Sequence, residues 1–244
     1  MEIINATWEK RNLGITCEEL TLSDEDGSAA LADGLNQLQA EYRIVKVPAG
    51  KFTLYTELAG KGFSFAENLF TLRRELKNTE SGSQQMKAPA AFEYSEITEE
   101  EKRIKLLERI EREKIFRTDR IALDPFFGEE ASGRRYRLWT EDLLKSDAKL
   151  LSVTTDNKDI GFSVLNHCSE RVTDQALVGL FPEFRGKGLG CCAIMAAVME
   201  SENLGAEYIQ TRVSGNNIPS LKTHLKAGYS IQDSVSVFVK HIIF

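Results

Sequence analysis

The chain has 244 residues, of which 42% are hydrophobic and 28% are charged, with 17 Gly and 5 Pro. This composition is typical of a globular protein with its own core, and it excludes disordered, collagen-like and low-complexity classes. The net charge of -6 argues against nucleic acid as the main partner, because phosphate backbones are bound by an excess of Lys and Arg.

Membrane and metal classes are also disfavoured. No apolar run approaches the ~18 residues of a membrane span, and the first ten residues lack the basic and apolar regions of a secretory signal. We therefore expect a cytoplasmic protein with no membrane partner. The 4 Cys and 3 His show no spacing that completes a metal site, so we expect neither a metal nor structural disulfides.

The first predicted elements form a small α/β unit. Apolar periodicity predicts three strands and two short helices: residues 16–22, 42–49 and 62–72 for the strands, and residues 30–41 and 51–60 for the helices. Residues 77–91 then lose this periodicity and gather Ser, Gly, Gln and Pro, which is typical of a flexible connection. We predict two domains, with residues 1–85 in the N-terminal α/β unit and residues 92–244 in the second.

The second unit begins with two predicted helices. Thr98 and Glu101 form a capping-box pattern before a charged amphipathic helix that reaches about Ile115. Its inner edge is marked by Ile104, Leu107 and Ile110 or Glu111. Residues 132–146 predict another helix, whose apolar stripe we interpret as core packing.

A period-two pattern follows from residue 149. It predicts an antiparallel meander of three strands at residues 149–155, 160–166 and 176–181. The remaining segments predict a helix, a strand, a helix and a strand: residues 189–203 before Gly205, residues 206–213, a helix from the N-cap Asn217 to Gly228, and residues 234–244. No internal repeat is evident in the sequence.

The segment RGKGLG, residues 185–190, lies between a strand that ends at Pro182 and the helix that follows. Its three glycines allow successive backbone N–H groups to turn toward one point, and the helix N-terminus adds positive charge. Arg185 and Lys187 add two full charges. The pattern therefore predicts an anion site of pyrophosphate size, and a structural turn with two exposed basic residues is the alternative.

Two familiar phosphate motifs do not fit this segment. A dinucleotide-binding G-x-G-x-x-G that starts at Gly186 reaches Cys191 where the third glycine is needed. A P-loop requires Ser or Thr after Gly-Lys, and this chain has Gly188 there.

The segment instead resembles the acetyl-CoA pyrophosphate loop, Q/R-x-x-G-x-G/A, of the GCN5-related N-acetyltransferase (GNAT) superfamily. Residues 213–229, VSGNNIPSLKTHLKAGY, are similar to the closing segment of that family. The matching positions are Val213, Asn217, Ser220, Thr223, His224, Gly228 and Tyr229. The resemblance covers about residues 149–244, and residues 116–127 with the RLW at 137–139 resemble, more narrowly, the dTDP-fucosamine acetyltransferases.

This resemblance implies an α/β (α+β) fold with a mixed, splayed central sheet flanked by helices, preceded by the smaller N-terminal α/β unit. Acetyl-CoA would be the acyl donor, without a metal. Its pantetheine arm would pair with the backbone near Leu180 and bond to Asn217. Its pyrophosphate would rest on Arg185, Gly186, Lys187, Gly188, Leu189 and Gly190.

His224 occupies the position where family members often carry a tyrosine that protonates the departing thiolate. Because neutral imidazole is a very weak acid, His224 would act as an imidazolium, with an ordinary pKa of ~6.5, or would only donate a hydrogen bond. A histidine on the helix surface without a role is the alternative.

Other catalytic groups follow less directly from the sequence. Glu170, Asp174 and Glu183 lie where they could flank the site, but none is assigned as the general base. We expect a backbone N–H at a strand bulge near Leu180 or Phe181 to polarise the carbonyl. We expect Cys191 and Cys192 to pack in the core rather than to act as nucleophiles.

The expected function is N-acetyl transfer to an amine by direct attack in a ternary complex, with the acceptor held partly by the N-terminal half. The narrower resemblance implies a nucleotide-linked amino sugar, whose diphosphate could meet Arg134, Arg135 and Arg137. An amino acid, peptide or antibiotic amine is the alternative acceptor. A non-catalytic CoA-binding or protein-interaction module is the alternative outside enzymes. Homodimers are common in the family, so a homodimer is an open alternative to a monomer.

Overall fold

In the computed structural model, which describes residues 1–76 and 91–242, ten strands form one mixed sheet with helices on both faces. The strands are β1 (Glu2–Asn5), β2 (Cys17–Thr21), β3 (Tyr42–Pro48), β4 (Ser64–Glu75), β5 (Glu93–Glu96), β6 (Lys149–Thr155), β7 (Lys158–Ser169), β8 (Val172–Leu180), β9 (Tyr208–Ser214) and β10 (Ser230–His241). The helices are α1 (Thr7–Leu13), α2 (Ser28–Gln37), α3 (Phe52–Gly60), α4 (Glu100–Arg112), α5 (Arg120–Leu123), α6 (Gly128–Lys145), α7 (Gly190–Asn203) and α8 (Ile218–Lys226). The mixed α/β fold is confirmed.

Alternating side chains on the central strands divide the helices between the two faces of the sheet. Along β10, Phe238 packs with α2 and α3, whereas its neighbour Val237 packs with α5 and α6. Along β4, Leu72 packs with α7 and α8, and Leu69 lies on the side of α5 and α6. The strands therefore form the middle layer of three, with a hydrophobic core on each side.

The sheet contains a repeat that the sequence does not reveal. The segment β2–α2–β3–α3–β4 has the same arrangement as β8–α7–β9–α8–β10, because each begins with two adjacent parallel strands joined by a helix. In the strand order β1-β2-β3-β10-β4-β9-β8-β7-β6-β5, β10 lies beside β3 and β4 lies beside β9. Each half thus places its last strand against the other half's parallel pair.

This exchange means that the two predicted units share one sheet. The antiparallel β10–β3 and β4–β9 ladders both join residues of the first unit to residues of the second. The boundaries at 85 and 92 stay a prediction, since residues 77–90, which hold almost all of the predicted connection, lie outside the described residues. Residues 243 and 244 of the last predicted strand lie outside them as well.

The N-terminal copy of the repeat lacks the features that predicted an anion site in the other copy. Its parallel strands pair without interruption from Cys17 to Thr21. The connection from β2 to α2 carries Asp24, Glu25 and Asp26, where the second copy carries Arg185 and Lys187. The acidic connection disfavours phosphate, so the C-terminal copy is the one suited to a phosphorylated ligand.

Most elements agree with the sequence predictions, but the start of α4 does not. The N-cap is Glu99, whose side chain makes no cap hydrogen bond, so the predicted Thr98–Glu101 capping box is wrong. The favourable charges are instead two glutamates in the first turn, near the positive end of the helix dipole. The buried face contains Leu106 beside Leu107 and Ile110, and Ile104 is 46% exposed. The helix also ends at Arg112, before the predicted Ile115.

Candidate active site

The parallel strands β8 and β9 pair only at their first residues and then diverge. Their register joins Val172, Thr173 and Asp174 to Tyr208, Ile209 and Gln210, respectively. The last link is a side-chain bond, since Thr211 Oγ1 donates to the carbonyl oxygen of Gln175 at 2.8 Å. Among the described residues, no strand pairs with this side of β8 beyond that point. The splayed sheet is confirmed, and it leaves a backbone edge that an extended ligand can use.

A β-bulge lies on β8 at the point where the strands separate. Val164 pairs with Leu177 and Leu165 pairs with Gln175, so Ala176 is the extra residue. The predicted bulge at Leu180 or Phe181 is therefore wrong, because Leu180 remains in register and the Phe181 N–H is bonded to the Ile160 carbonyl at 3.0 Å. The bulge at Ala176 therefore lies beside the opening between the strands.

The glycine-rich segment forms a tight loop between β8 and α7. Gly186 and Gly188 have φ angles of 74° and 77°, in the left-handed region that favours glycine. A Cβ atom on either residue would meet nothing within 4 Å, so backbone conformation, rather than crowding, requires glycine here. The N-cap of α7, Leu189, makes no side-chain cap bond, so the first amides of α7 remain available to an anion.

The two basic residues of the loop have different roles in the structure. Arg185 is bonded to backbone, with Nε donating to the Leu180 carbonyl at 3.3 Å and Nη2 donating to the Ile115 carbonyl at 2.8 Å. Burial lowers the pKa of this guanidinium. Lys187 lies over the Phe184 ring, with Nζ 5.6 Å from the ring centroid. Arg185 therefore anchors the loop, and Lys187 is the more accessible charge for a phosphate.

A cavity of about 570 Å³ opens beside the splayed strands. Both halves of the repeat contribute to its wall, as do α5 and α6. Its polar and charged wall includes Glu19, Lys46, Glu67, Asp119, Arg120, Arg135, Asp142, Asp174, Arg212, Asn217 and His224. Its aromatic wall consists of Trp8, Phe116, Tyr136 and Trp139. The volume is typical of a small-molecule site.

Asn217 and His224 are the two predicted site residues that line the cavity. The predicted cap is confirmed, because Asn217 Oδ1 accepts from the Ser220 N–H at 3.2 Å. Leu180 and the loop residues 185–190 lie outside the cavity wall. They occupy the other end of the same opening, since Leu180 ends β8 and Gly190 begins α7.

His224 is completely buried, so the alternative of a surface histidine is wrong. Burial lowers its pKa to about 4, which keeps the ring neutral at pH 7. Its Nδ1 lies 2.9 Å from the Ser220 carbonyl oxygen, which places the single N–H of the neutral ring on Nδ1. In this tautomer Nε2, which lies 3.4 Å from Gln175 Oε1, carries no proton, so proton donation to a thiolate requires either the other tautomer or the imidazolium.

The low pKa of His224 predicts a pH-dependent stability. The unfolded chain protonates this histidine near pH 6.5 and the folded protein only near pH 4, so acid favours the unfolded state between these values. Over that range His224 is expected to lower the free energy of unfolding by roughly 3 kcal/mol. Urea denaturation at several pH values checks this in comparison with His224→Phe. Equal pH slopes for the two proteins would contradict it.

The three carboxylates considered as bases have different environments. Asp174 lines the cavity, and burial raises its pKa although Arg212 opposes that shift. Glu183 is exposed and forms an ion pair with Arg109 at 2.6 Å. Glu170 lies at the exposed turn between β7 and β8. Asp174 is thus the one of the three that the fold brings to the cavity.

Several groups that could act in catalysis or bind an acceptor are buried or already have protein partners. Cys191 is buried on α7, and burial raises the pKa of its thiol to about 11, as expected for a packing residue. Arg134 Nε donates to the Asn12 carbonyl at 2.9 Å, and Arg135 and Arg137 form ion pairs with carboxylates. The three arginines therefore have protein partners where the sequence suggested a diphosphate.

Sequence reasoning missed the buried charges that the N-terminal half and α5 bring to the cavity. Glu67 on β4 is 2% exposed, and its Oε1 lies 3.6 Å from Nη1 of Arg120. Arg135 and Glu9 form a second buried pair, with Nη2 and Oε1 2.7 Å apart. The sequence offers a weak signal for Glu67, which stands between Phe65 and Leu69 at the period-two positions of its strand. Tyr136 and Trp139, predicted as core residues, pack as expected and also line the cavity.

The described residues contain no group of three or more His, Cys, Asp or Glu side chains that could hold a metal ion. None of the helices in the described part of the chain is long and apolar enough to cross a membrane.

Comparison with known sequences gives a consistent family. Residues 115–229 match the model of the "Acetyltransferase (GNAT) family". Over 90 residues, the chain is 26% identical to the mycothiol acetyltransferase of Actinosynnema mirum. That match covers 37% of this chain and 30% of the relative, so the chain spans about a third of the length of this curated protein.

Solved structures show a similar fold. A GCN5-related N-acetyltransferase from Sphaerobacter thermophilus is 12% identical, with a TM-score of 0.65 over 98% of this chain and 75% of its own. A GCN5-related glucosamine N-acetyltransferase region of a fungal β-N-acetylglucosaminidase is 15% identical, with a TM-score of 0.62 over 98% of this chain and 31% of its own. At these identities the likeness shows the fold alone.

Proposed function

We propose that this chain is an N-acetyltransferase of the GNAT family, whose model residues 115–229 match, and that it transfers the acetyl group of acetyl-CoA to a primary amine bound in the cavity. The observation that carries the proposal is the continuity of β8. This one strand has its open backbone edge beside the cavity and runs directly into the glycine-rich loop and the N-terminus of α7. An extended ligand with a phosphate at one end fits such an arrangement.

Acetyl-CoA supplies a thioester that an amine can attack. The residues present fit this donor: the backbone amides of residues 186–190 would hold its pyrophosphate, with Lys187 as the nearby cation. The open edge of β8 would hold the pantetheine arm, and Asn217 would contact the arm from the cavity wall. Arg185 would contribute by fixing the loop to β8.

The proposed reaction is direct attack in a ternary complex. A C–N bond forms as the C–S bond breaks, the amine loses a proton, and the thiolate gains one. Backbone N–H groups at the Ala176 bulge would polarise the thioester carbonyl, because the bulge lies where β8 and β9 separate. His224 remains the proposed donor to the thiolate.

The role of His224 has a direct test. If it donates to the thiolate, His224→Phe should lower kcat by about 10²-fold or more while leaving acetyl-CoA affinity unchanged. Lys222→Met, an exposed change on the same helix, serves as the control and should leave kcat unaltered. Steady-state thiol release measures kcat for both variants. An unchanged kcat in His224→Phe would contradict the assignment of His224 as the proton donor.

For the acceptor, we propose an amino sugar as the first class to test. The names of the glucosamine N-acetyltransferase region and of the mycothiol acetyltransferase point to small-molecule acceptors for those proteins. A nucleotide-linked amino sugar receives less support, since Arg134, Arg135 and Arg137 already have partners. Amino acids, peptides and antibiotic amines are the other acceptor classes to be tested.

The experiment has two steps. Calorimetry with acetyl-CoA should give micromolar binding, and thiol release should follow when amino sugars, their nucleotide conjugates, amino acids and aminoglycosides are supplied. An absence of acetyl-CoA binding would overturn the proposal. Binding without thiol release from any amine would leave a CoA-binding module instead of an enzyme. A cytoplasmic location and a homodimer stay predictions from the sequence, and size-exclusion chromatography with light scattering checks the latter.

A further inference from the structure

Two buried carboxylates on the cavity wall each have an oxygen without a hydrogen-bond partner among the described residues. Glu67 is 2% exposed and Asp119 is 9% exposed. Oε2 of Glu67 and Oδ2 of Asp119 receive no hydrogen bond. A buried carboxylate oxygen without a donor is costly, so such oxygens in a cavity wall indicate the place of a ligand donor.

The other oxygen of each carboxylate is already engaged, which fixes both side chains. Asp119 Oδ1 accepts from the Ala122 N–H at 3.1 Å and from Ser132 Oγ at 3.0 Å. Glu67 Oε1 faces Nη1 of Arg120 at 3.6 Å, an ion-pair contact too long for a hydrogen bond. Both carboxylates are thus held in place, and each has one oxygen that receives no hydrogen bond.

The two carboxylates belong to one cluster. Arg120 follows Asp119 in the chain and faces Glu67. Burial, with smaller contributions from both negative charges, raises the pKa of the Tyr136 phenol, and Tyr136 lines the same cavity. The unpartnered oxygens of Glu67 and Asp119 therefore belong to residues of one cavity wall.

The distribution of charged side chains around the cavity indicates which kind of hydrogen-bond donor a ligand would supply. The cations on the wall face acids: Lys46 with Glu19, Arg135 with Glu9, Arg212 with Asp174, and Arg120 with Glu67. Asp142 is paired with Arg11 from outside the wall. Asp119 has no cationic partner within ion-pair distance among the described residues, so the wall carries an excess of negative charge. A ligand cation would balance it.

From this geometry we infer that Glu67 and Asp119 bind the ammonium group of the acceptor and select an amine over the corresponding alcohol. An ammonium has three N–H donors and no acceptor, which matches two carboxylate oxygens that both lack donors. The inference rests on the proposed function, because it assigns the acceptor side of the same cavity. The aromatic wall of Trp8, Phe116 and Trp139 suits the ring or apolar face beside that ammonium.

The expected acceptor is a primary amine that is cationic at neutral pH and carries no excess negative charge. The acidic excess would repel phosphate or diphosphate close to the amine. A free amino sugar or an alkylammonium therefore fits the wall better than a highly charged nucleotide conjugate.

The test uses matched pairs that differ only in the amine, namely glucosamine with glucose and 2-phenylethylamine with 2-phenylethanol. Calorimetry is performed on wild type, Glu67→Gln, Asp119→Asn and the exposed control Glu93→Gln, each with and without CoA. Wild type and the control should bind the amine of at least one pair about tenfold or more tightly than its alcohol. Each of the other two variants should reduce that preference to within about twofold.

These substitutions are chosen to preserve the fold. Glutamine has the shape of glutamate, and asparagine can keep the N-cap that Asp119 provides to α5. Thermal denaturation confirms that each variant is folded. Equal affinity of wild type for every amine and its alcohol would overturn the inference, and so would a preference that survives in both variants. A failure of the proposed function appears separately, as missing acetyl-CoA binding or missing thiol release.

Discussion

Replacing Gly188 by Asp is expected to weaken acetyl-CoA binding by about 100-fold or more, a loss of roughly 3 kcal/mol. Two effects add. The φ angle of 77° costs a residue with a Cβ atom about 1–2 kcal/mol, and a carboxylate within about 4 Å of a pyrophosphate charge repels it by about 4 kcal/mol at an effective dielectric constant of 20. Calorimetry with acetyl-CoA measures the loss.

Gly205 provides a matched control for this substitution. Its φ angle is 76°, and a Cβ atom there would also meet nothing within 4 Å, so Gly205→Asp introduces the same backbone strain and the same charge. It follows the C-terminal end of α7, whereas Gly188 precedes the N-terminal end. Gly205→Asp should keep wild-type affinity for acetyl-CoA. If both variants lost affinity equally, strain rather than an anion site would explain the effect.

Replacing Arg135 by Met should lower the free energy of unfolding by about 3–5 kcal/mol. Arg135 on α6 and Glu9 on α1 form an ion pair 2.7 Å apart, and their side chains are only 13% and 3% exposed. Methionine fills much of the space but leaves the Glu9 carboxylate buried without its cation. Urea denaturation monitored by circular dichroism measures the change.

The same two helices carry an exposed ion pair that serves as the control. Arg11 on α1 pairs with Asp142 on α6, and their side chains are 43% and 40% exposed. Because water screens such a pair, Arg11→Met should change the free energy of unfolding by no more than about 1 kcal/mol. Equal effects of the two substitutions would show that burial does not determine the cost.

The sequence predicted features that depend on neighbouring residues. The meander, α7, the Asn217 cap and the glycine-rich turn at residues 185–190 all follow from the hydrophobic period or from the properties of one residue type. The strand exchange does not, because nothing local in β4 or β10 indicates which half of the sheet it joins. The Ala176 bulge depends on the register with β7, which the sequence of β8 alone does not reveal.

The charged wall of the cavity was unpredictable for a similar reason. Glu67 and Asp119 lie on different elements, on opposite sides of the predicted connection. Their relation arises only when β4 enters the middle of the sheet and α5 covers its face. The identity of the donor site could be proposed from a continuous motif, whereas the acceptor side is assembled from residues without a shared pattern.

The position of β10 also has a consequence for synthesis on the ribosome. β10, which lies between β3 and β4, is synthesised after all the other described strands, so β3 and β4 each have an open edge until β10 has left the ribosome. Contacts between such distant segments slow folding, and open strand edges can pair with other chains. We therefore expect truncation before Ser230 to cause aggregation of the nascent protein, even though the glycine-rich loop, α7 and α8 would all be present.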